Sequence, residues 1–237
     1  MLENQTTQNY EMNKNYAGQF RETEITLPPQ PHTIMRPTHC MLDLETLGTR
    51  PGSVITSIGA TKFDERGTYG TPFYMRIDMQ SCVDVGMLID TETIKWWMKQ
   101  SDEARSEFQK ESVELSYALT QFGIWCDNED AKAQDEHNCA VVHLWGNGAN
   151  FDNVILKAAY DAVGMQAPWK FYNDRCYRTL KAMYPHIKMP KRTGTHHNAL
   201  DDAISQVNHL ILLPCFQELC AAEKQAEMDK LQGELIL

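Results

Sequence analysis

Runs and periods of apolar residues divide the chain into a strand-rich first part and a mostly helical second part. Thr38 to Leu44 is a short, nearly continuous apolar run, the pattern of a buried strand. Val54 to Phe63 predicts a second strand and Tyr69 to Ile77 a third, with a turn at Gly67 that makes the two a hairpin. The period then changes. Thr91 to Lys99 carries Ile94, Trp97 and Met98, and Val113 to Cys126 places Val113, Leu115, Leu119, Phe122 and Trp125 at roughly helical spacing. Ala140 to Trp145 returns to the buried-strand pattern and is ended by Gly146-Asn-Gly148. Helices are predicted over Phe151 to Ala162, Arg175 to Met183 and Asn198 to Leu213, with a loop from Tyr184 to Thr195 before the last. Pro214 interrupts, and a terminal helix runs to about Leu235. One more strand is placed near Tyr172. Three strands, helices, a strand and further helices predict an α/β fold, a mixed central β-sheet flanked by α-helices.

Residues 1–36 do not join this pattern. They are rich in Asn, Gln, Thr and Glu and end in Leu27-Pro-Pro-Gln-Pro31 and Arg36-Pro37, the composition of a flexible extension. The expected organisation is therefore an extension over 1–36, a domain over 37–214 and a C-terminal helix over 215–237. The 237 residues, 42% of them apolar, suffice for one domain with a real core. No stretch reaches the eighteen or so apolar residues of a membrane span. The polar first thirty residues lack the apolar core of a secretory leader, so a cytoplasmic protein is expected. The seven cysteines are odd in number and none form C-x-x-C, which points to reduced, packed thiols.

Charge changes the picture only through its distribution. The net −10 argues against nonspecific binding of nucleic acid. Yet Lys170, Arg175, Arg178, Lys181, Lys188, Lys191 and Arg192 lie close together in sequence, opposed only by Asp174. That stretch is either a solvated loop or a local seat for a polyanion.

Candidate chemistry begins at Asp43-Leu-Glu45, at the end of the first strand. Residues i and i+2 of a strand face one way, so the two carboxylates project together about 7 Å apart along the backbone. Such a pair suits hard divalent cations. The pattern recurs at Asp90-Thr-Glu92 and Asp127-Asn-Glu129, but only the first copy follows a buried strand and precedes a sharp exit at Gly48. Asp152 follows Gly146-Asn-Gly148-Ala-Asn150-Phe at the start of a helix, where an acid also serves the helix dipole. His197-Asn-Ala-Leu-Asp201-Asp202 opens the next long helix. Helical geometry alone favours Asp201, four residues from His197, over Asp202.

Taken in order, these motifs resemble the DEDD superfamily of 3'-5' exonucleases, the DnaQ-like or RNase T-like enzymes. Asp43-Leu-Glu45-Thr-Leu-Gly48 matches D-x-E-x-x-G, Asn150-Phe-Asp152 the second motif, and His197 with Asp202 five residues on the "h" subclass. Thr93-Ile-Lys-Trp96-Trp97-Met-Lys-Gln100 and Trp145-Gly-Asn-Gly148 are similar to the phage and prophage exonuclease VIII-like branch and related exoribonucleases. The resemblance covers about residues 38–213. It implies an RNase H-like fold and a 3'-5' exonuclease acting on nucleic acid with a free 3' end, DNA favoured and RNA the alternative. It further implies two Mg2+ ions, replaceable by Mn2+, held by Asp43, Glu45, Asp152 and Asp202. Asp43 would bridge both ions. Glu45 and Asp202 would serve the one that activates water, and Asp152 the one that supports the leaving oxygen. His197 would be the general base. Thr46 and Leu47 would meet the terminal nucleotide, with Asn150, Arg178 and the basic stretch at the rim. The family spacing selects Asp202 over Asp201. Of Trp96 and Trp97, about 100° apart on a helix, at most one faces the core if the other stacks. Three rivals remain: a catalytically silent binding module, a hydrolase of small phosphate esters, and a zinc protein using His186, His196 and His197, whose spacing is poor for zinc.

Overall fold

The central strand β1, Thr38–Thr46, sorts its side chains by parity. Even-numbered Cys40, Leu42 and Leu44 enter one apolar cluster, and odd-numbered Met41 enters another on the opposite face. On that second face the odd positions continue to Asp43 and Glu45, so one strand carries apolar packing at its start and acids at its end. The computed structural model describes residues 38–126, 142–148, 150–192 and 194–234. The expected extension over 1–36, the acidic run Asp127 to Glu136 and Cys139 lie outside them.

Strands β2 (Ile55–Asp64), β3 (Gly67–Arg76), β4 (Val142–Gly146) and β5 (Asp174–Cys176) join β1 in a five-stranded sheet of order β3-β2-β1-β4-β5. The β1–β2 and β2–β3 pairs are antiparallel, and β1–β4 and β4–β5 are parallel. The sheet is mixed, as expected. Helices cover both faces in the layered RNase H-like arrangement. They are α1 (Met79–Asp84), α2 (Thr91–Trp97), α3 (Asp102–Ser106), α4 (Leu115–Cys126), α5 (Asp152–Ala162), α6 (Tyr177–Met183), α7 (Ala199–Leu210) and α8 (Pro214–Glu234). Leu115, Leu119 and Phe122 of α4 and Ile155 and Leu156 of α5 pack with the even side of β1. Val207 and Leu210 of α7 and Phe216 of α8 pack with Met41, Phe63 and Trp145 on the other.

Two close approaches fix the geometry of the acid-bearing end. A Cβ on Gly59 of β2 would lie 2.2 Å from the Leu200 nitrogen and 2.3 Å from the Ala199 carbonyl carbon. Only glycine there lets the first turn of α7 rest on the sheet. A Cβ on Gly146 would lie 2.3 Å from Asn153 Oδ1 and 3.0 Å from Asp152 Cβ, so that glycine seats the start of α5 against the end of β4.

Helix α8 lies beyond the expected domain boundary but is built into the second cluster. Glu223 Oε2 is 3.0 Å from His39 Nε2, and Glu223 Oε1 is 3.3 Å from His143 Nδ1. The spacing would admit a cation. However, the Trp145 indole N–H donates to His39 Nδ1 at 3.1 Å, which leaves the ring proton on Nε2, facing the carboxylate. The cluster is therefore a hydrogen-bonded clasp between α8 and the starts of β1 and β4. It holds Glu223 down at about 2, against its burial, through the side-chain bonds from His143 and His39.

Several elements depart from the sequence reading. The long helix ends at Leu210, and Pro214 opens α8 where a missing N–H costs nothing. Arg175, expected in a helix, lies in β5, because Asp174–Cys176 pairs with Leu144–Gly146. Helices α1 and α3 are new; each is a turn or so long, capped by Asp78 and Ser101. Cys40, Cys82 and Cys220 are buried thiols, as packing predicts. No helix among the described residues is long and apolar enough to cross a membrane.

Candidate active site

Each acid of the site is delivered by the end of a regular element. Asp43 and Glu45 come from the last turn of the pleat in β1, opposite Gly59 and Ser57 of β2. Asp152 is the first residue of α5, only 2% exposed. Its Oδ1 accepts the Leu44 amide at 3.1 Å and its Oδ2 the Asn147 amide at 2.9 Å, so its carboxylate ties the ends of β1 and β4 together. Asp202 sits in the first turn of α7, after the Asn198 cap. Ligand atoms of Glu45, His197 and Asp202 lie within 4.8 Å of one another. Asp201, the rival on helical geometry, turns away and accepts the Thr195 amide at 2.7 Å, closing the preceding loop.

Gathering four carboxylates here is electrostatically costly. Burial first, then Asp152, Glu45 and Asp202, push Asp43 well above the usual carboxylate range. Glu45 is pushed up to about 8 by burial and by the charges of Asp202 and Asp152. Asp152 rises to about 6 by burial, restrained by its backbone amides. Asp202 is raised by burial and partly relieved by Arg192. An all-oxygen donor set with this excess of negative charge is what a hard divalent cation satisfies. The residues therefore fit the metals the sequence implies.

Two of the charge-relieving groups were not singled out in the sequence as members of the site. The Gln206 side-chain N–H donates to Asp43 Oδ1 at 2.6 Å. It stands four residues after Asp202 on the same helix face, which is the signal that finds it. Arg192, from the basic stretch, is paired with Asp202.

His197 closes the site on a strained backbone. Its φ of 63° is in the left-handed region, a cost of about 1–3 kcal/mol for a residue with a side chain. Its ring meets Trp96 edge-on at 4.9 Å between centroids. Burial, His196 and Arg192 push its pKa down to about 4, so the ring is neutral at pH 7 and one nitrogen can accept a proton. Trp97 is the core-facing member of the tryptophan pair and donates its indole N–H to the Thr46 carbonyl at 2.9 Å. Trp96 is 43% exposed beside the site. A small cleft lined by Glu45, Ser57, Arg76, Trp97, Glu107 and His197 opens there.

The expected substrate-binding residues separate into two groups. Leu47 is 4% exposed and belongs to the core, and Thr46 is buried with its hydroxyl on the Gly48 carbonyl. Their side chains offer little surface to a base, since the exit of β1 folds inward onto Val54. Asn150 and Arg178 are exposed. The Arg178 guanidinium passes 3.4 Å from where a Cβ of Gly148 would stand, and its charge acts on Asp152.

A family model described as the 3'-5' exoribonuclease Rv2179c-like domain matches residues 38–213. No curated protein sequence matches the chain. Among solved structures, E. coli Exonuclease I in complex with an oligonucleotide is similar in fold, with 13% identity and a TM-score of 0.51, over 78% of this chain and 42% of that one. The nuclease domain of 3'hExo, a DEDDh family member bound to rAMP, is 12% identical over 78% of this chain and 94% of its own, with a TM-score of 0.47. S. pombe Pop2p with Mg2+ and Mn2+ is 16% identical over 75% of this chain and 82% of its own, with a TM-score of 0.42.

Proposed function

The chain belongs to the Rv2179c-like 3'-5' exoribonuclease domain family, and on that premise we propose that it is a metal-dependent exonuclease that shortens RNA from a free 3' end and releases nucleoside 5'-monophosphates. The observation that carries the reading is the convergence of Asp43, Glu45, Asp152 and Asp202 beside a neutral His197 at one end of the sheet. The sequence resemblance leans to DNA; the family description names an exoribonuclease and tips the substrate to RNA.

Asp43, Glu45, Asp152 and Asp202 would hold two Mg2+ ions, or Mn2+ in their place. When bound, the ions supply polarisation of water and of the scissile phosphate, and charge to offset the leaving 3'-oxygen. Asp43 lies centrally among the acids and is the residue suited to serve both ions. Gln206 holds its Oδ1, and Asp152, Glu45 and Asp202 all act on its charge. Asp152, with both oxygens on backbone amides, anchors the scaffold and would contribute more weakly to holding an ion. His197 accepts the proton of the attacking water at its free ring nitrogen. A phosphate charge beside it raises its proton affinity from a low starting point. Arg178 and Asn150 are exposed near Asp152 and contact the phosphate backbone.

The test uses RNA and DNA oligonucleotides of one sequence, labelled at the 5' end, with Mg2+. The expected result is a ladder shortening from the 3' end, faster on RNA. Release of the 5' label first as a mononucleotide would reverse the polarity, and faster loss of DNA would reverse the substrate. Intact oligonucleotides of both kinds would leave a catalytically silent binding module as the better reading.

A further inference from the structure

Phe171 and Tyr172 are 80% and 65% exposed, adjacent large aromatics presented to solvent at the outer edge of the sheet. Their rings meet edge to face at 5.4 Å. The turn that carries them is fixed from both sides. Before it, Trp169 is buried against Tyr160. After it, the Asn173 amide donates to the Lys170 carbonyl at 2.8 Å, and β5 begins. The Arg175 guanidinium donates to the Tyr172 and Asp174 carbonyls at 3.1 Å each, so the turn is braced by a cation. Asp174, the lone acid of this stretch, is exposed but held by one oxygen: its Oδ1 accepts the Asn153 amide at 2.8 Å and the Trp169 indole at 2.9 Å. The surface here presents two aromatic faces with Lys170 and Arg178, a half-buried Arg175 and one acid, Asp174, in a chain of net charge −10.

The pair precedes the start of β5, and the far end of that strand approaches the acids. Arg175 and Cys176 pair with Trp145 and Gly146, and Gly146 packs on Asp152. Tyr172 and Asn173 end a 3-10 turn and β5 follows, so even a fully extended path from Tyr172 to Cys176 plus one strand spacing gives a reach of at most about 18 Å to that point. At about 3.4 Å per stacked nucleotide, this is the length of some five nucleotides. Arg178 stands at the Asp152 end, its guanidinium 3.4 Å from where a Cβ of Gly148 would lie. Bases stack on exposed aromatics regardless of sequence, while Arg and Lys follow the phosphates.

We propose that Phe171 and Tyr172 form a stacking platform for bases of single-stranded nucleic acid a few nucleotides upstream of the scissile bond, with Arg175 and Arg178 along the phosphate track to Asp152. The platform rests on the nuclease reading given above. It makes grip on the strand depend on length, because a substrate too short to reach Phe171 gains nothing from it.

The test is the double variant Phe171→Ala with Tyr172→Ala in the full chain, both positions being exposed and outside the acid cluster. Binding of a fluorescent ten-nucleotide RNA is read by anisotropy with Ca2+ replacing Mg2+ to hold turnover down. Hydrolysis of a small chromogenic ester, thymidine 5'-p-nitrophenyl phosphate, is read in Mg2+. The expected result is at least tenfold weaker binding of the RNA, unchanged ester hydrolysis, and recovery of binding when both positions carry Trp. Equal RNA binding by wild type and double variant overturns the platform and leaves the nuclease reading intact. Loss of ester hydrolysis in parallel with binding also overturns it, since the variant would then have damaged the whole site. A wild-type protein that binds the RNA normally but cleaves neither substrate overturns the nuclease reading alone. An assembly of copies that falls apart in the double variant, with RNA binding unchanged, would assign the aromatic pair to a protein interface instead.

Discussion

Replacing Glu45 by Gln should stabilise the protein in EDTA and destroy its response to metal. A carboxyl moved from 4.5 to about 8 is unfavourable to ionise in the folded state. The sign follows from the raised folded value: the carboxyl's contribution is fully present below pH 4.5 and is lost as pH rises through about 8. At pH 7 the loss is on the order of 3 kcal/mol, and at pH 8 somewhat more. Glutamine keeps the shape and removes the charge, so Glu45→Gln recovers part of that loss, about 1–3 kcal/mol. For a chain of this size each kcal/mol moves Tm by about 2–4 °C. The assay is thermal unfolding of both proteins at pH 4.5, 6 and 8, in EDTA and in Mg2+. In EDTA the two curves should coincide near pH 4.5 and separate toward pH 8, with the variant higher. Mg2+ should raise wild type most at pH 8, where the carboxylates shed protons to receive it, and the variant little. A variant no more stable than wild type in EDTA at pH 8 would refute the argument that the acids repel one another across a cation's place.

Other consequences are independent of that one. Gly59→Ala puts a methyl into the backbone of α7, so it should cost about 3 kcal/mol or more in urea unfolding and lower activity further by lifting Asp202 and His197 off the sheet. Glu223→Gln removes the charge that His39 bonds and that lies 3.3 Å from His143 Nδ1, and should cost about 2 kcal/mol at pH 7. Because Glu223 is depressed to about 2, its contribution is present above pH 4.5 and fades as pH falls toward 2, so the gap to wild type in urea titrations should close over that window. Gln206→Leu removes the hydrogen bond that favours ionised Asp43, and the Mg2+ concentration for half-maximal activity should rise severalfold at pH 7 in a metal titration.

The parts of this structure visible in the sequence are those with a local cause. The apolar run of β1 and the helical spacing of Val113 to Cys126 each encode burial of one face, and the structure has both. Helices α1 and α3 escaped because five or six residues are too few to establish a period. The sequence places a strand near Tyr172 but not its bounds, and assigns Arg175 to a helix, because three residues become a strand only by pairing with β4. At the site, helix geometry alone favours Asp201 and only the family spacing selects Asp202. The difference is made by the loop before α7, whose Thr195 amide takes Asp201. Gln206 is within reach of helical arithmetic once Asp202 is chosen, standing four residues after it. The clasp of Glu223 on His39 joins residues 184 positions apart and has no local signature. Leu47 shows the converse: a motif position that suggests contact with a base is filled by a core side chain.

The most direct test of the central claim is the fate of a 5'-labelled RNA with wild type and Asp43→Asn, in Mg2+, in EDTA, and after Mg2+ is returned to the EDTA sample. The account predicts a 3'-shortening ladder for wild type that stops in EDTA and resumes with Mg2+, and at least a hundredfold slower shortening for Asp43→Asn, matching the loss of about 3 kcal/mol of transition-state stabilisation. Shortening that persists in EDTA, or proceeds undiminished in Asp43→Asn, would contradict it.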